Sequence, residues 1–223
     1  MMLDYNRQDK IFNPENQRFK IVVFGAGSLG SFITLNLAKL GFNDIVVYDT
    51  DIVERWNIPN QFYRYSDIGK KKTTALKEIV KDFTGITIDI QETWVDSNNI
   101  DTIIAQNGIG TLYVLTFDSL ESRKVVFEGL KHQLNFLVDS RLGGEEYSIY
   151  TSKMSDAQDL KNHSIMYNII PTELECGMKS VIYSVLAVSA EVCNIVKKIN
   201  QNEVYPKSII RHMKRNFILT DVR

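Results

Sequence analysis

The 223-residue sequence predicts an α/β fold, a doubly wound sheet that is mostly parallel with antiparallel strands toward the C-terminal part. Two observations carry this. Short β-branched and aromatic runs alternate with segments of helical periodicity, the pattern of a sheet covered by helices on both faces. The first run enters Gly25-Ala26-Gly27-Ser28-Leu29-Gly30 directly, a strand–turn–helix junction.

The elements follow in order. Phe19–Phe24 is a continuous apolar run, as expected of a strand covered on both faces. Leu29, Phe32, Ile33, Leu37 and Leu40 recur near helical spacing until Gly41 stops the helix, and Asp44–Asp49 is the second strand. Lys70–Phe83 reads as an amphipathic helix with Leu76, Ile79, Val80 and Phe83 on one side. Strands are expected at Ile86–Gln91, Leu112–Phe117, Phe136–Asp139 and Glu146–Tyr150, with helices near Ile100–Gln106 and Leu120–Leu130. Ser152–Glu175 is polar and reads as an irregular crossover or loop. Lys179–Lys198 is a long helix, apolar on most sides, expected against the sheet or a second subunit. The division is an N-terminal arm over 1–18 and a single domain over 19–223.

Composition excludes several classes. The chain is 44% hydrophobic and 24% charged, which rules out disorder and collagen-like repeats. No apolar run is long enough to span a membrane, and the charged first 20 residues do not read as a signal peptide, so the expected location is cytoplasmic. Two cysteines, Cys176 and Cys193, cannot build a disulfide framework or a four-cysteine zinc site, so no zinc is expected. His132, His163 and His212 are scattered, without a metal or triad pattern. A net charge of −1 gives no global attraction for nucleic acid. The segment from Lys197 to Arg223 nevertheless carries seven Lys/Arg against Glu203 and Asp221. It reads as a solvated helix or strand, or as a docking surface for an acidic partner.

The glycine turn has a nucleotide-binding form and a Rossmann-like context. Gly25 allows the tight turn, Gly27 lets phosphate approach the backbone, and Gly30 permits close helix–strand packing. The helix N-terminus at Ser28 and Leu29 offers free N–H groups to phosphate. Asp49 ends the second strand, where a carboxylate can accept from ribose hydroxyls. This motif fits NAD, FAD, S-adenosylmethionine or ATP, and names a nucleotide rather than a reaction.

The following segment is more specific. Asp49-Thr50-Asp51 leads to Asn57, then Asn60-Gln61, then Gly69-Lys70-Lys71-Lys72; Tyr5-Asn6-Arg7-Gln8 precedes the first strand, and Thr116-Phe117-Asp118-Ser119 with Arg123 follows the fourth. In this order the sequence resembles the ThiF/MoeB/HesA family, adenylating enzymes related to ubiquitin-activating enzymes. The resemblance implies an ATP-dependent adenylyltransferase. It would act as a homodimer on the C-terminal glycine carboxylate of a small ubiquitin-like or sulfur-carrier protein, or on a related peptide. It assigns Gly25, Gly27, Ser28, Leu29, Gly30, Asp49, Asp51 and Gln61 to nucleotide binding, and Arg7, Asn57, Lys72 and Asp118 to catalysis. Asp118 would hold Mg²⁺, and Arg7 would reach the phosphates of the partner subunit. Asn60 stands where the family usually has Arg, so a positive phosphate contact is missing unless Arg64 or Arg55 supplies it. The chain is also too short for the separate cysteine and ubiquitin-fold domains of the eukaryotic activators. Cys176 is the candidate thioester nucleophile, weighed against a packing role, and Cys193 is read as packing. An NAD-dependent oxidoreductase and a non-catalytic nucleotide-binding scaffold are the alternatives.

Overall fold

The computed structural model describes residues 3–167 and 180–222. The parallel strands are β1 (Lys20–Phe24), β2 (Ile45–Tyr48), β3 (Asp89–Gln91), β4 (Thr111–Leu115) and β5 (Phe136–Gly143). β6 (Glu146–Lys153), β7 (Ser208–His212) and β8 (Phe217–Asp221) continue the sheet antiparallel. The sheet order is β3-β2-β1-β4-β5-β6-β7-β8, so the chain reverses direction of travel between β1 and β4. Ligands bind at such switch points, in the crevice beyond the carboxyl ends of the strands.

Alternation along the strands builds two cores. Ile21, Val23, Ile45, Val47, Leu112 and Val114 face one side, where they meet α1 (Ser28–Leu40), α2 (Lys72–Thr84) and α6 (Ile182–Asn200). Val22, Phe24, Val46, Tyr48, Tyr113 and Leu115 face the other, under α3 (Ile100–Asn107), α4 (Leu120–Leu130) and α5 (Ala157–Met166). The expected winding by helices on both faces is present. α6 packs on α1 and the sheet, leaving Ile182, Tyr183 and Leu186 exposed. No helix among the described residues is long and apolar enough to cross a membrane.

Three expectations change. The crossover read as irregular contains α5, a helix with weak amphipathicity that local periodicity does not reveal. Asp156 caps it by accepting from the Gln158 and Asp159 N–H groups at 2.9 Å, and Leu160 and His163 bury its inner face. α2 begins at Lys72 rather than Lys70, because Lys70 and Lys71 are drawn into pairing with the segment after β2: Val53 N–H donates to Lys70 O at 2.8 Å and Ile52 bridges Lys71. The basic C-terminal stretch takes both forms of its reading: Lys197 and Lys198 lie in the last turn of α6, and the residues beyond form the β7–β8 hairpin, which completes the edge of the sheet. Ser152 itself belongs to β6, which runs three residues past its expected end.

Candidate nucleotide-binding site

The last paired row of the parallel sheet runs Tyr48–Phe24–Leu115–Asp139. The glycine turn rises from this row. Gly25 has φ +102°, a left-handed conformation, and a Cβ there would lie 2.7 Å from Thr116 Oγ1. At Gly30 a Cβ would stand 1.9 Å from the Gly25 carbonyl oxygen, so no side chain fits between turn and helix. Gly27 differs: nothing lies within 4 Å of its Cβ position. It is the N-cap residue of α1 and has no side chain to cap the first-turn N–H groups. The open face of the turn is therefore at Gly27, Ser28 and the backbone beyond. Leu29, 3% exposed, sends its side chain into the core, leaving only its backbone to face a ligand. Thr116 Oγ1 donates within reach of Phe24 O (2.8 Å) and Gly25 O (2.9 Å), holding the turn from beneath.

Asp49 is tied to the turn. Its Oδ2 accepts from Ala26 N–H at 2.6 Å and its Oδ1 from Asp51 N–H at 2.8 Å. The other side of Ala26 is held by Tyr63, whose hydroxyl donates to Ala26 O at 2.6 Å. Burial, followed by the nearby charges of Asp49, Asp51 and Asp67, pushes the Tyr63 phenol well above its usual range, so it stays a neutral donor. Sequence reasoning missed Tyr63; its signal was an aromatic pair directly after Gln61.

Asp51 extends the run. Its carboxylate accepts from Lys72 Nζ at 2.7 Å, and its carbonyl accepts from Lys72 N–H at 2.9 Å. The three adjacent lysines separate cleanly. Lys70 pairs with Glu78 (2.6 Å) and Asp67 (3.1 Å), Lys71 donates to Thr50 O at 2.9 Å, and Lys72 alone is buried beside Asp51. Asn57, 8% exposed, uses its Oδ1 to accept from Glu54 N–H at 2.8 Å, which shapes the turn. Its Nδ2 has no protein acceptor among the described residues. Gln61 Oε1 is buried and without a partner among them.

Asp118 is exposed in the bend before α4. It is not the helix cap: Ser119 is, accepting from Ser122 N–H at 3.2 Å. Arg123 donates to Phe117 O and pairs with Asp139, anchoring the backbone next to Asp118 from inside the protein. Arg7 is exposed and far from this chain's own turn. Its arm packs on the opposite end of α1, with Gln8 Nε2 donating to Leu40 O at 2.8 Å and Phe12 stacked on Phe42 at 4.8 Å. A 13-residue helix separates the two ends by about 20 Å.

The two arginines that could replace the missing family Arg differ in what they are bound to. Arg64 pairs with Asp82 at 2.5 Å, toward the far part of α2, and Arg55 is exposed without a recorded protein partner among the described residues. Asn60 donates through Nδ2 to Ser180 Oγ at 2.7 Å, tying the segment after β2 to the chain entering α6. Cys176 lies outside the described residues. Cys193 is buried in α6, where burial pushes its thiol up to about 12, in keeping with packing.

His163, unlike the other two histidines, sits within a buried hydrogen-bonded cluster. Its Nδ1 meets Ser152 Oγ at 2.8 Å, and its Nε2 lies 3.4 Å from Asp139 and 3.3 Å from the Tyr167 hydroxyl. These contacts join residues from β5, β6 and α5, which sequence spacing cannot bring together. They are not a hydrolytic triad. Ser152 is buried, and Asp139 already accepts from Arg123 and, at 2.7 Å, from Arg141. Burial alone would raise the Asp139 carboxyl, but Arg123, the His163 hydrogen bond and Arg141 outweigh it and hold it far below the usual range. No group of three or more His, Cys, Asp or Glu among the described residues could hold a metal by itself.

Comparison with known proteins gives the family and the fold. A segment of 109 residues is 32% identical to the NEDD8-activating enzyme E1 catalytic subunit of Arabidopsis thaliana, covering 48% of this chain and 23% of that one. Another of 139 residues is 31% identical to a probable molybdopterin-synthase adenylyltransferase of Porphyra purpurea, covering 57% and 36%. The chain thus spans little more than a third, or less, of these relatives' lengths. Among solved structures, that of PaaA superposes with a TM-score of 0.74 at 18% identity, covering 94% of this chain and 74% of that one, which shows a shared fold. The ThiF family matches residues 5–207, nearly the whole sequence, and the chain belongs to that family.

Proposed function

We propose that this protein is an ATP-dependent adenylyltransferase. It activates the C-terminal glycine carboxylate of a small ubiquitin-like or sulfur-carrier protein, or of a related peptide. A carboxylate oxygen bonds to the α-phosphorus as the bond to the bridging oxygen breaks, giving an acyl-adenylate and pyrophosphate. The observation that carries the reading is the continuous hydrogen-bonded run from Ala26 through Asp49 and Asp51 to Lys72, in a chain of the ThiF family.

The residues suit a triphosphate. Gly27 leaves a cradle that a Cβ would fill, and Gly25, Ser28, Leu29 and Gly30 offer backbone to phosphate at the helix N-terminus. Each Asp49 oxygen keeps a lone pair for a ribose hydroxyl, and the buried Gln61 Oε1 has no protein partner among the described residues. Attacker and target are both anionic, so the barrier is largely electrostatic. Lys72 contributes a point charge, and Asn57 a neutral donor that does not repel the incoming carboxylate. Removing one such donor would cost about 3 kcal/mol of transition-state stabilisation. Asp118 would hold Mg²⁺; one carboxylate suits an ion that takes its other ligands from phosphate and water.

Arg7 enters from the other subunit of a homodimer. Its position, a helix length from its own turn, favours service in trans over service in cis. The test is ATP–pyrophosphate exchange with candidate Gly-ending partners. Arg7→Ala should abolish exchange, and mixing it with Lys72→Ala protein should restore part of it; failure to complement would remove the trans arrangement. A non-catalytic scaffold is the second reading, favoured by Asn60 being committed to Ser180 rather than replacing a cation. Nucleotide binding without exchange on any partner would select it.

A further inference from the structure

We infer that Asp51 competes with phosphate for Lys72: it holds the ammonium while the site is empty and takes it back as pyrophosphate leaves. The inference rests on the adenylyltransferase reading and concerns product release, which that reading leaves unexplained. A cation strong enough to hold a triphosphate would also hold the pyrophosphate that must depart.

The pair is built asymmetrically. The Lys72 side chain is 9% exposed and the Asp51 side chain 62%. The lysine stem is thus packed inside the protein, whereas the carboxylate remains in water and loses little when the ammonium turns away. Registration of the two is set by backbone, through Lys72 N–H to Asp51 O at 2.9 Å and the Ile52–Lys71 bridge, so the side chains meet again without a search. An ammonium has three N–H donors. One is taken by Asp51 Oδ2, and the others have no acceptor among the described residues. Unfilled donors on a buried cation are the opening through which phosphate oxygens can enter. Asp51 is also held near the phosphate turn, because Asp49 accepts from both its N–H and that of Ala26. When polyphosphate is bound, the Asp51 carboxylate is therefore a fixed negative charge next to it, disfavouring retention. Lys70 and Lys71 have their own partners and do not replace Lys72 at Asp51.

The experiment titrates inorganic pyrophosphate and ATP, at a series of Mg²⁺ concentrations, into the wild-type chain, Asp51→Asn, Lys72→Met and the double variant. Asp51→Asn keeps the shape and one acceptor and removes the charge. It should bind pyrophosphate about tenfold more tightly, and the gain should vanish in the Lys72→Met background. In exchange assays, pyrophosphate should half-saturate Asp51→Asn at a correspondingly lower concentration. Lys72→Arg serves as the second background if Lys72→Met does not fold, and the gain should there be reduced. Unchanged or weaker pyrophosphate binding by Asp51→Asn overturns the inference. So does a gain that persists in full without Lys72, which would be general repulsion, or a raised Mg²⁺ requirement, which would make Asp51 a metal ligand. Wild-type protein that binds neither probe defeats the functional reading and the inference together. Wild-type binding with an indifferent Asp51→Asn defeats the inference alone.

Discussion

Two charged clusters sit at the carboxyl end of the same sheet and differ in what they leave unfinished. Around Asp139, on the last paired row, Arg123, Arg141, His163 and Tyr167 converge on one buried carboxylate, and the guanidiniums also bind Phe117 O and Met166 O. Around Asp49 and Asp51, one row beyond, carboxylates organise backbone and a lysine but leave Lys72 donors, the Asn57 amide nitrogen and the face of Gly27 without protein partners among the described residues. Charge and burial alone would single out Asp139 as the functional group, because its buried carboxyl is held far below its usual range by the guanidiniums around it. Accounting for donors and acceptors reverses that choice. A closed network stabilises the strand ends and anchors the segment before Asp118; an open one can bind.

This contrast can be broken by substitution. Asp139→Asn should have the largest effect, lowering unfolding free energy by about 3–5 kcal/mol in urea titration, since it leaves the buried Arg123 and the half-buried Arg141 without their counter-charge. The pH dependence follows from the same group. Its carboxyl is depressed in the folded state, so its stabilisation is present above the unfolded value near 4 and is lost as pH falls below it. Asp139→Asn should therefore flatten the loss of stability below about pH 4; an unchanged acid limb would show that the cluster is not the acid-sensitive element.

Lys72→Ala should reduce exchange by roughly 10²–10³-fold, while changing urea stability far less than Asp139→Asn does. A collapse of the fold equal to that of Asp139→Asn would erase the distinction between the clusters. The two glycines sharpen it within the turn itself. Gly30→Ala should destabilise by about 1–3 kcal/mol, because its methyl meets the Gly25 carbonyl. Gly27→Ala should leave the melting temperature close to wild type and weaken nucleotide binding, read by titration with ATP. Tyr63→Phe should give the smallest change, about 1 kcal/mol of stability for the lost bond to Ala26 O. A modest rise in KM for ATP should accompany it if the clamp also orients the turn.

Much of the site was legible because it is local. Gly25, Gly27 and Gly30 sit at a strand–helix junction whose geometry follows from backbone sterics, and Asp49 ends the next strand. Which of Lys70, Lys71 and Lys72 is buried was decided by pairing with residues 51–53, some twenty positions earlier. Asn60 gave no sign in sequence of its bond to Ser180, 120 residues away. α5 was missed because its polar sequence is held by a cap and by tertiary burial of Leu160 and His163 rather than by a clear apolar stripe.

The amino-acid sequence by itself determined the sheet, its two-sided winding, the phosphate-type turn and the family, since alternation, periodicity and glycine sterics act over a few residues. Tertiary structure alone decided which charged groups are spent on one another and which stay open. Ion pairs such as Arg123–Asp139 and Lys72–Asp51 join distant segments whose proximity is set only when helices and strands pack, and the exposure of each partner is fixed at that point too.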